Sequence, residues 1–274
     1  MDYLSRPDTS NTIVIAPNAP PVCRSATSVE IALNIVLDHG DVYDTIKAFR
    51  VMGGAHIDEM LQDSMTFSFS FSPVGRFRVS YTTQRGSKVA IITIVPFSVP
   101  TLDSFCATLE PAKELVEIMA SDRSGLLAIT GPDAASNSKL VYSIINEVNK
   151  TKRRIIYVLE RDLRYLIAHS DSMILQTEIG ADTATFEEGL SSAYRFEPHL
   201  LYLGDLRPSD QIPSITHALG AGIMTVITSV SLPGPTLLAD FCPPADTRAS
   251  DERVCQSVTV IPGQDQLLSL KVNS

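Results

Sequence analysis

The residues whose types and spacing could do chemistry lie together in Gly131-Pro132-Asp133-Ala134-Ala135-Ser136-Asn137-Ser138-Lys139. A loop that cradles phosphates reads GxxxxGK[ST]: glycines let the backbone wrap the anion, the lysine neutralises it, and the hydroxyl ligates magnesium. Here Gly131 holds the first glycine and Ser138 the hydroxyl, while Ser136 stands in the second glycine position and Asn137 in the lysine position. Asp133 adds a carboxylate that repels phosphate, and Ser136 and Asn137 restrict a backbone that glycine would free. Lys139 is the nearest cation. It lies two residues past the lysine position, roughly 200° around a helix, and points away unless the loop is rebuilt.

The elements around this stretch follow from its neighbours. Gly125 to Thr130 reads as a buried strand entering the turn, and Ser136 to Asn149 as the helix leaving it. Pro111 to Ala120 reads as a preceding helix and Arg154 to Leu159 as the next strand. Asp182 or Thr183 could cap a helix whose Phe186, Leu190 and Ala193 fall on one stripe, before the apolar His199 to Leu203. Ser209 to Leu219 and Ile223 to Thr228 repeat helix then strand, and Val254 to Val272 reads as a hairpin around Pro262-Gly-Gln-Asp. Alternation of this kind makes an α/β sheet covered by helices, with ligands where strand ends meet helix starts.

The first part of the chain is organised differently. Thr12 to Ala16 is a short β-branched run, and Pro17 to Pro21 leads into a helical reading at Ser28 to Leu37. From Met65 to Pro96 three segments alternate across turns at Pro-Val-Gly and Arg85-Gly86-Ser87, an antiparallel meander that places Phe67, Phe69 and Phe71 on one core face. Pro100 and its polar neighbours mark a linker, dividing the chain into residues 1–100 and 101–274.

Composition bounds the function. The net charge of −9 and pI near 5.0 argue against a nucleic-acid partner, which needs a basic surface. Cys23, Cys106, Cys242 and Cys255 form no CxxC pair and read as reduced thiols, without a zinc or redox motif. The amino terminus carries no basic start followed by an apolar run, and no apolar stretch approaches the roughly 20 residues of a membrane span, so a cytoplasmic place is expected.

Several segments, in one order and at one spacing, resemble the ring-forming motor ATPases of type IV pili and type II secretion. Gly125 to Pro132 resembles the strand entering their phosphate loop, and Ile155 to Glu160 the strand ending in an acidic box. Phe186-Glu-Glu-Gly-Leu-Ser-Ser-Ala193 is similar to their FEEALRSALR helix, and Glu197 to Arg207 to the segment DPDVILVGEMRD. Upstream, Gly75 to Ser80, Gln84 to Gly86 and Pro100 to Leu102 match their amino-terminal domain, so the resemblance covers most of residues 12 to 230. It implies a RecA-like nucleotide-binding sheet domain preceded by a smaller, PAS-like α+β domain.

The same resemblance assigns roles. ATP with Mg2+ is its expected cofactor, with Ser138 on the metal and Gly131 to Lys139 around the phosphates. Glu160 and Asp205 take the positions of the carboxylates that orient the attacking water. Asp205 replaces a glutamate and is one methylene shorter, and a misplacement of about an ångström can cost roughly 100-fold in rate. The acidic box continues Arg161-Asp162 in place of Asp-Pro, and Val226 to Val230 carries no histidine where the family has Thr-Leu-His-Thr; His217 lies on the preceding helix and does not substitute. Arg76, Arg78 and Arg85 match basic residues that the family brings to a neighbour's nucleotide; alternatively Arg76 and Arg78 form a solvated strand face. After Pro233 only about 40 residues remain, without the helical region of retraction motors, which counts against a retraction-specific role.

Assembly, too, is implied by the resemblance: a six-membered ring, either of this chain alone or mixed with an active relative, docked to an inner-membrane platform or other pilus or secretion components. Three readings stand open. The chain is a hydrolysis-impaired subunit that regulates an active relative, a weakly active ATPase in which Lys139 reaches the phosphates, or a structural protein that binds no nucleotide.

Overall fold

The computed structural model describes residues 12–24, 28–72, 74–207, 216, 219–241, 254–262 and 268–273. The chain divides into two compact units, Met1–Phe97 and Ser98–Ser274.

In the first unit, strands β1 (Thr12–Ile15), β2 (Val22–Arg24), β3 (Val29–Ile31), β4 (Ser64–Phe71), β5 (Gly75–Gln84) and β6 (Ser87–Val95) form one antiparallel sheet, ordered β3-β2-β1-β6-β5-β4. The tight turn between β5 and β6 is Arg85-Gly86, with φ of 51° and 77°, the left-handed pair that suits the twist of a two-residue hairpin. Helix α1 (His39–Met52) starts at a capping box in which the Asp38 side chain accepts from the Asp41 amide and the Asp41 side chain from the Asp38 amide. Its Val42 and Ile46 bury themselves against Phe67, Phe69, Val79 and Ile92.

Two expectations fail in this unit. Residues 28–37 are not helical: Val29 and Ile31 alternate along β3, which pairs with β2, and the helix waits for the Asp38 cap. Phe71 is 44% exposed while Phe67 and Phe69 are buried. It sits opposite Gly75 at the hairpin end, which offers no side chain to pack against.

The second unit begins with a 3-10 turn (Leu102–Ser104) and helix α2 (Glu110–Ala120). There follow β7 (Gly125–Thr130), α3 (Ala134–Thr151), β8 (Ile155–Glu160), β9 (Met173–Glu178), α4 (Phe186–Arg195), β10 (Leu200–Leu203), β11 (Met224–Ser229), α5 (Gly234–Phe241), β12 (Val254–Pro262) and β13 (Leu268–Asn273). The sheet order is β13-β12-β7-β11-β10-β8-β9, parallel except for the final β12–β13 hairpin. β7 lies between β11 and β12, where the order reverses, so its carboxyl end opens on the crevice in which such sheets hold ligands. This is the α/β, RecA-like architecture expected from the alternation of elements.

Some details differ from the sequence pattern. β9 arises from Met173-Ile-Leu-Gln-Thr-Glu, a short mixed run whose pairing with β8 only the fold reveals. α4 is capped by Thr185, whose hydroxyl accepts from the Glu188 amide; Asp182 accepts instead from the Glu178 amide at the end of β9. Phe186, Leu190 and Ala193 are buried as the stripe requires. Most of Ser209 to Leu219, with His217, lies outside the described residues, as does Cys242. Cys23 and Cys106 are buried free thiols, but Cys255 is disulfide-bonded, contrary to the expectation of reduced cysteines. Among the described residues no helix is long and apolar enough to cross a membrane.

Candidate functional site

β7 is buried along its whole length and delivers Gly131 to the carboxyl edge of the sheet. The connection to α3 is only Gly131-Pro132-Asp133, because the helix already begins at Ala134, two residues before the start expected from sequence. The local causes are plain. The Asp133 carboxylate caps the helix, accepting from the Ser136 amide at 2.7 Å and from the Ser136 hydroxyl at 2.8 Å, and two alanines favour helical backbone. Residues 134 to 136, which in a GxxxxGK loop arch over the phosphates, are therefore a turn of helix.

Asn137, in the lysine position, is fully buried. Its amide nitrogen donates to the Ser229 carbonyl at the end of β11, at 3.3 Å, and its Oδ1 has no hydrogen-bond partner. The side chain lies directly on Gly131, where an added Cβ would come within 2.3 Å of Oδ1. Gly131 is thus needed for the close approach of Asn137. Lys139 turns elsewhere, its ammonium 4.5 Å from the Phe105 ring centroid, a cation–π contact on the far side of the helix turn, as the 200° offset requires.

Glu160, at the end of β8, is buried and fully engaged. Its Oε2 accepts from the Tyr142 hydroxyl at 2.6 Å, and its Oε1 from the Tyr202 hydroxyl at 2.7 Å and the Ser138 hydroxyl at 3.1 Å. Burial pushes its carboxyl pKa up, and the bonds from Tyr142, Tyr202 and Ser138 offset part of that rise. The same burial, with the Glu160 charge beside them, raises Tyr142 and Tyr202 well above the ordinary phenol value. Gly204 makes room for the group: an added Cβ would stand 2.1 Å from Oε1.

Asp205 follows with φ of 49°. Its amide donates to the Thr228 hydroxyl at 2.8 Å, and that hydroxyl lies 3.3 Å from the Tyr202 hydroxyl. The two acidic strand ends are therefore joined through Thr228 and Tyr202. Arg207 stands 4.0 Å from the Asp205 carboxylate, a loose ion pair at the surface.

A magnesium ion does not fit these side chains as they stand. It would need the Ser138 oxygen and a carboxylate turned toward it in octahedral geometry, and both are spent on each other and on two phenols. Among the described residues no cluster of three or more His, Cys, Asp or Glu could hold a metal. The cleft nearest the turn, about 300 Å3, is lined by Thr130, Gly131, Pro132, the Ser229–Pro233 segment, Thr259 and Val260, and none of these is charged.

The arginines are in the first unit. Arg76 and Arg78 are half-buried, two apart on β5, on the face opposite Phe77 and Val79. Arg85 is exposed at the other end of the strand, about 30 Å of extended chain from Arg76, beside a cleft with Asn18, His39 and Gln84. One phosphate cannot engage both ends. Tyr142, Tyr202 and Thr228 carry no motif that marks them in the sequence. The available signal was a tyrosine inside an otherwise aliphatic strand, Leu200-Leu-Tyr-Leu203, since a buried phenol needs a partner.

No protein-family model matches the chain. A twitching motility protein of Neisseria gonorrhoeae is 26% identical over 205 residues, covering 73% of this chain and 53% of its own length. The type IV pilus retractation ATPase PilT of Pseudomonas aeruginosa is 27% identical over 146 residues, 53% of this chain and 41% of its own length. The chain thus spans about half or less of these curated relatives. The crystal structure of the pilus retraction motor PilT with bound ADP matches at a TM-score of 0.72 and 21% identity, over 96% of this chain and 78% of that one. The ATPase DotB of Legionella pneumophila follows with 0.65 and 18%, over 96% and 76%. At these identities the structural likeness shows the fold.

Proposed function

We propose that the chain is a member of the type II/IV secretion and pilus motor ATPase family and serves as a non-hydrolysing subunit of a pilus or secretion machine. It works beside an active relative, as an accessory or regulatory partner in a ring, at the cytoplasmic side of the inner membrane. The observation that carries this reading is the helix running through residues 134–136 with Asn137 buried beneath it. Phosphoryl transfer needs charge neutralisation at the phosphates and an oriented water. In this chain the lysine position bonds Ser229, the Ser136 amide bonds the Asp133 carboxylate, and the acid of the first box bonds three hydroxyls. Arg76, Arg78 and Arg85 are retained as candidates for contact with a neighbouring subunit.

The specific observation that Asp133 already caps the helix favours the reading without nucleotide over the one in which Lys139 rescues hydrolysis. The test is calorimetric titration with the magnesium complex of a non-hydrolysable ATP analogue, beside a Ser136→Gly, Asn137→Lys variant. No heat from the natural chain is the expected result. Micromolar binding by the natural chain would overturn the reading without nucleotide, and ATP turnover by it would overturn the proposal of a non-hydrolysing subunit.

A further inference from the structure

The geometry points to Tyr142 and Tyr202 as the residues that close this site to a divalent cation, their hydroxyls standing in for the metal as partners of Glu160 and Ser138. The inference rests on the function proposed above and says what replaced the metal. The two phenols come from separate elements, α3 and β10, and meet edge to face with centroids 5.9 Å apart and planes at 89°. Both are fully buried. A leucine or phenylalanine would fill either space as well, and the related pattern DPDVILVGEMRD has leucine where Tyr202 stands, so the hydroxyls need a reason.

That reason is the carboxylate between them. A buried carboxylate is costly unless it is paired or well bonded. A metal-binding site solves the problem with a cation. Here each Glu160 oxygen receives a phenol proton, at 2.6 and 2.7 Å, and Oε1 takes the Ser138 hydroxyl as well.

The cage is itself held from outside. The Gln176 amide lies 3.5 Å from the Tyr142 hydroxyl while donating to the Tyr165 carbonyl at 2.8 Å, and Thr228 braces Tyr202 from the other side. β8, β9, β10, β11 and α3 are thus tied by one network that needs no ligand to complete it. A subunit built this way keeps its core organised whether or not Mg2+ and nucleotide are present, which suits a constant member of an assembly.

The test is metal rescue of stability. Tyr142→Phe with Tyr202→Phe keeps both rings and removes both hydroxyls, so Glu160 is left short of partners and the melting temperature falls. Adding 10 mM Mg2+ should raise the melting temperature of this variant by about 3 °C or more, with no comparable rise from ionic-strength-matched Na+. The natural chain should not respond, and Glu160→Gln in the double-Phe background should abolish the response. Should the double variant fail to fold, Tyr142→Phe alone supplies the same comparison with Tyr202 retained. The inference is overturned if Mg2+ stabilises the natural chain as much as the variant, or stabilises neither. ATP turnover by the natural chain would sink the proposed function while leaving the metal rescue readable.

Discussion

Gly204→Ala is the sharpest probe of how tightly the site is filled. No left-handed backbone is required at this glycine, so alanine brings no conformational penalty of its own. The added methyl would stand 2.1 Å from Glu160 Oε1, 2.2 Å from Cγ and 2.5 Å from Cδ, against the 3.4 Å or more of ordinary contact. The carboxylate must therefore move by over an ångström. It cannot do so and keep its bonds to Tyr142, Tyr202 and Ser138. Overpacking of this kind costs about 1–3 kcal/mol, and loss of one hydrogen bond to a charged buried group about 1.5–3 kcal/mol more. The sum, about 2.5–6 kcal/mol, is a large part of the ~5–15 kcal/mol of a domain's stability.

Urea unfolding followed by far-UV circular dichroism and tyrosine fluorescence, in a chain with 8 tyrosines and no tryptophan, reads the loss directly. With a slope near 2 kcal/mol/M, the transition of the second unit should fall by about 2 M. Glu160→Ala in the Gly204→Ala background should cost less than the sum of the single changes by about 2 kcal/mol, because the collision partner is gone. A single-variant loss below about 1 kcal/mol, or strict additivity, would refute the packing described.

Three further outcomes are expected. Asp133→Ala removes the cap of α3 and should cost about 1 kcal/mol, read as a lower urea midpoint; an unchanged midpoint would show that the cap is unimportant. Phe69→Ala breaks the ring stack with Phe77, Phe49 and Phe67 and should cost about 3–5 kcal/mol, confined to the transition of the first unit. Lys139→Met loses the contact with the Phe105 ring, worth about 0.5–2 kcal/mol, and should leave any nucleotide titration unaltered; a change in that titration would restore Lys139 as a phosphate ligand.

Much of the second unit was legible in the sequence because its signals are local. Apolar runs of strand length alternate with helical stripes at Gly125–Thr130 and Phe186–Ala193, and the replacement of the motif's second glycine and lysine by Ser136 and Asn137 is visible by inspection. A phosphate-loop frame keeps residues 134–136 out of the helix and puts the start of α3 at Ser136, whereas Asp133 followed by Ala134-Ala135 is a cap and two good helix formers, and the helix starts at Ala134. The cage around Glu160 could not be read at all. Tyr142, Glu160 and Tyr202 are separated by 18 and 42 residues, and only the sheet order brings them together. In the first unit the meander was clear from its alternation. Residues 28–37 read as helix by pattern alone, but the stretch carries no cap of its own; the capping box, Asp38 with Asp41, lies just beyond and starts α1 at His39.

The most direct test of the central claim is phosphate release by the natural chain in saturating Mg-ATP, measured beside an active relative on the same day. The account predicts no release above the blank, and none gained on mixing the chain at low concentration with nucleotide alone. Turnover near 1 s⁻¹, in the ordinary range for enzymes, and lost on Glu160→Gln, would contradict it, because that acid would then be orienting water rather than bonding three hydroxyls.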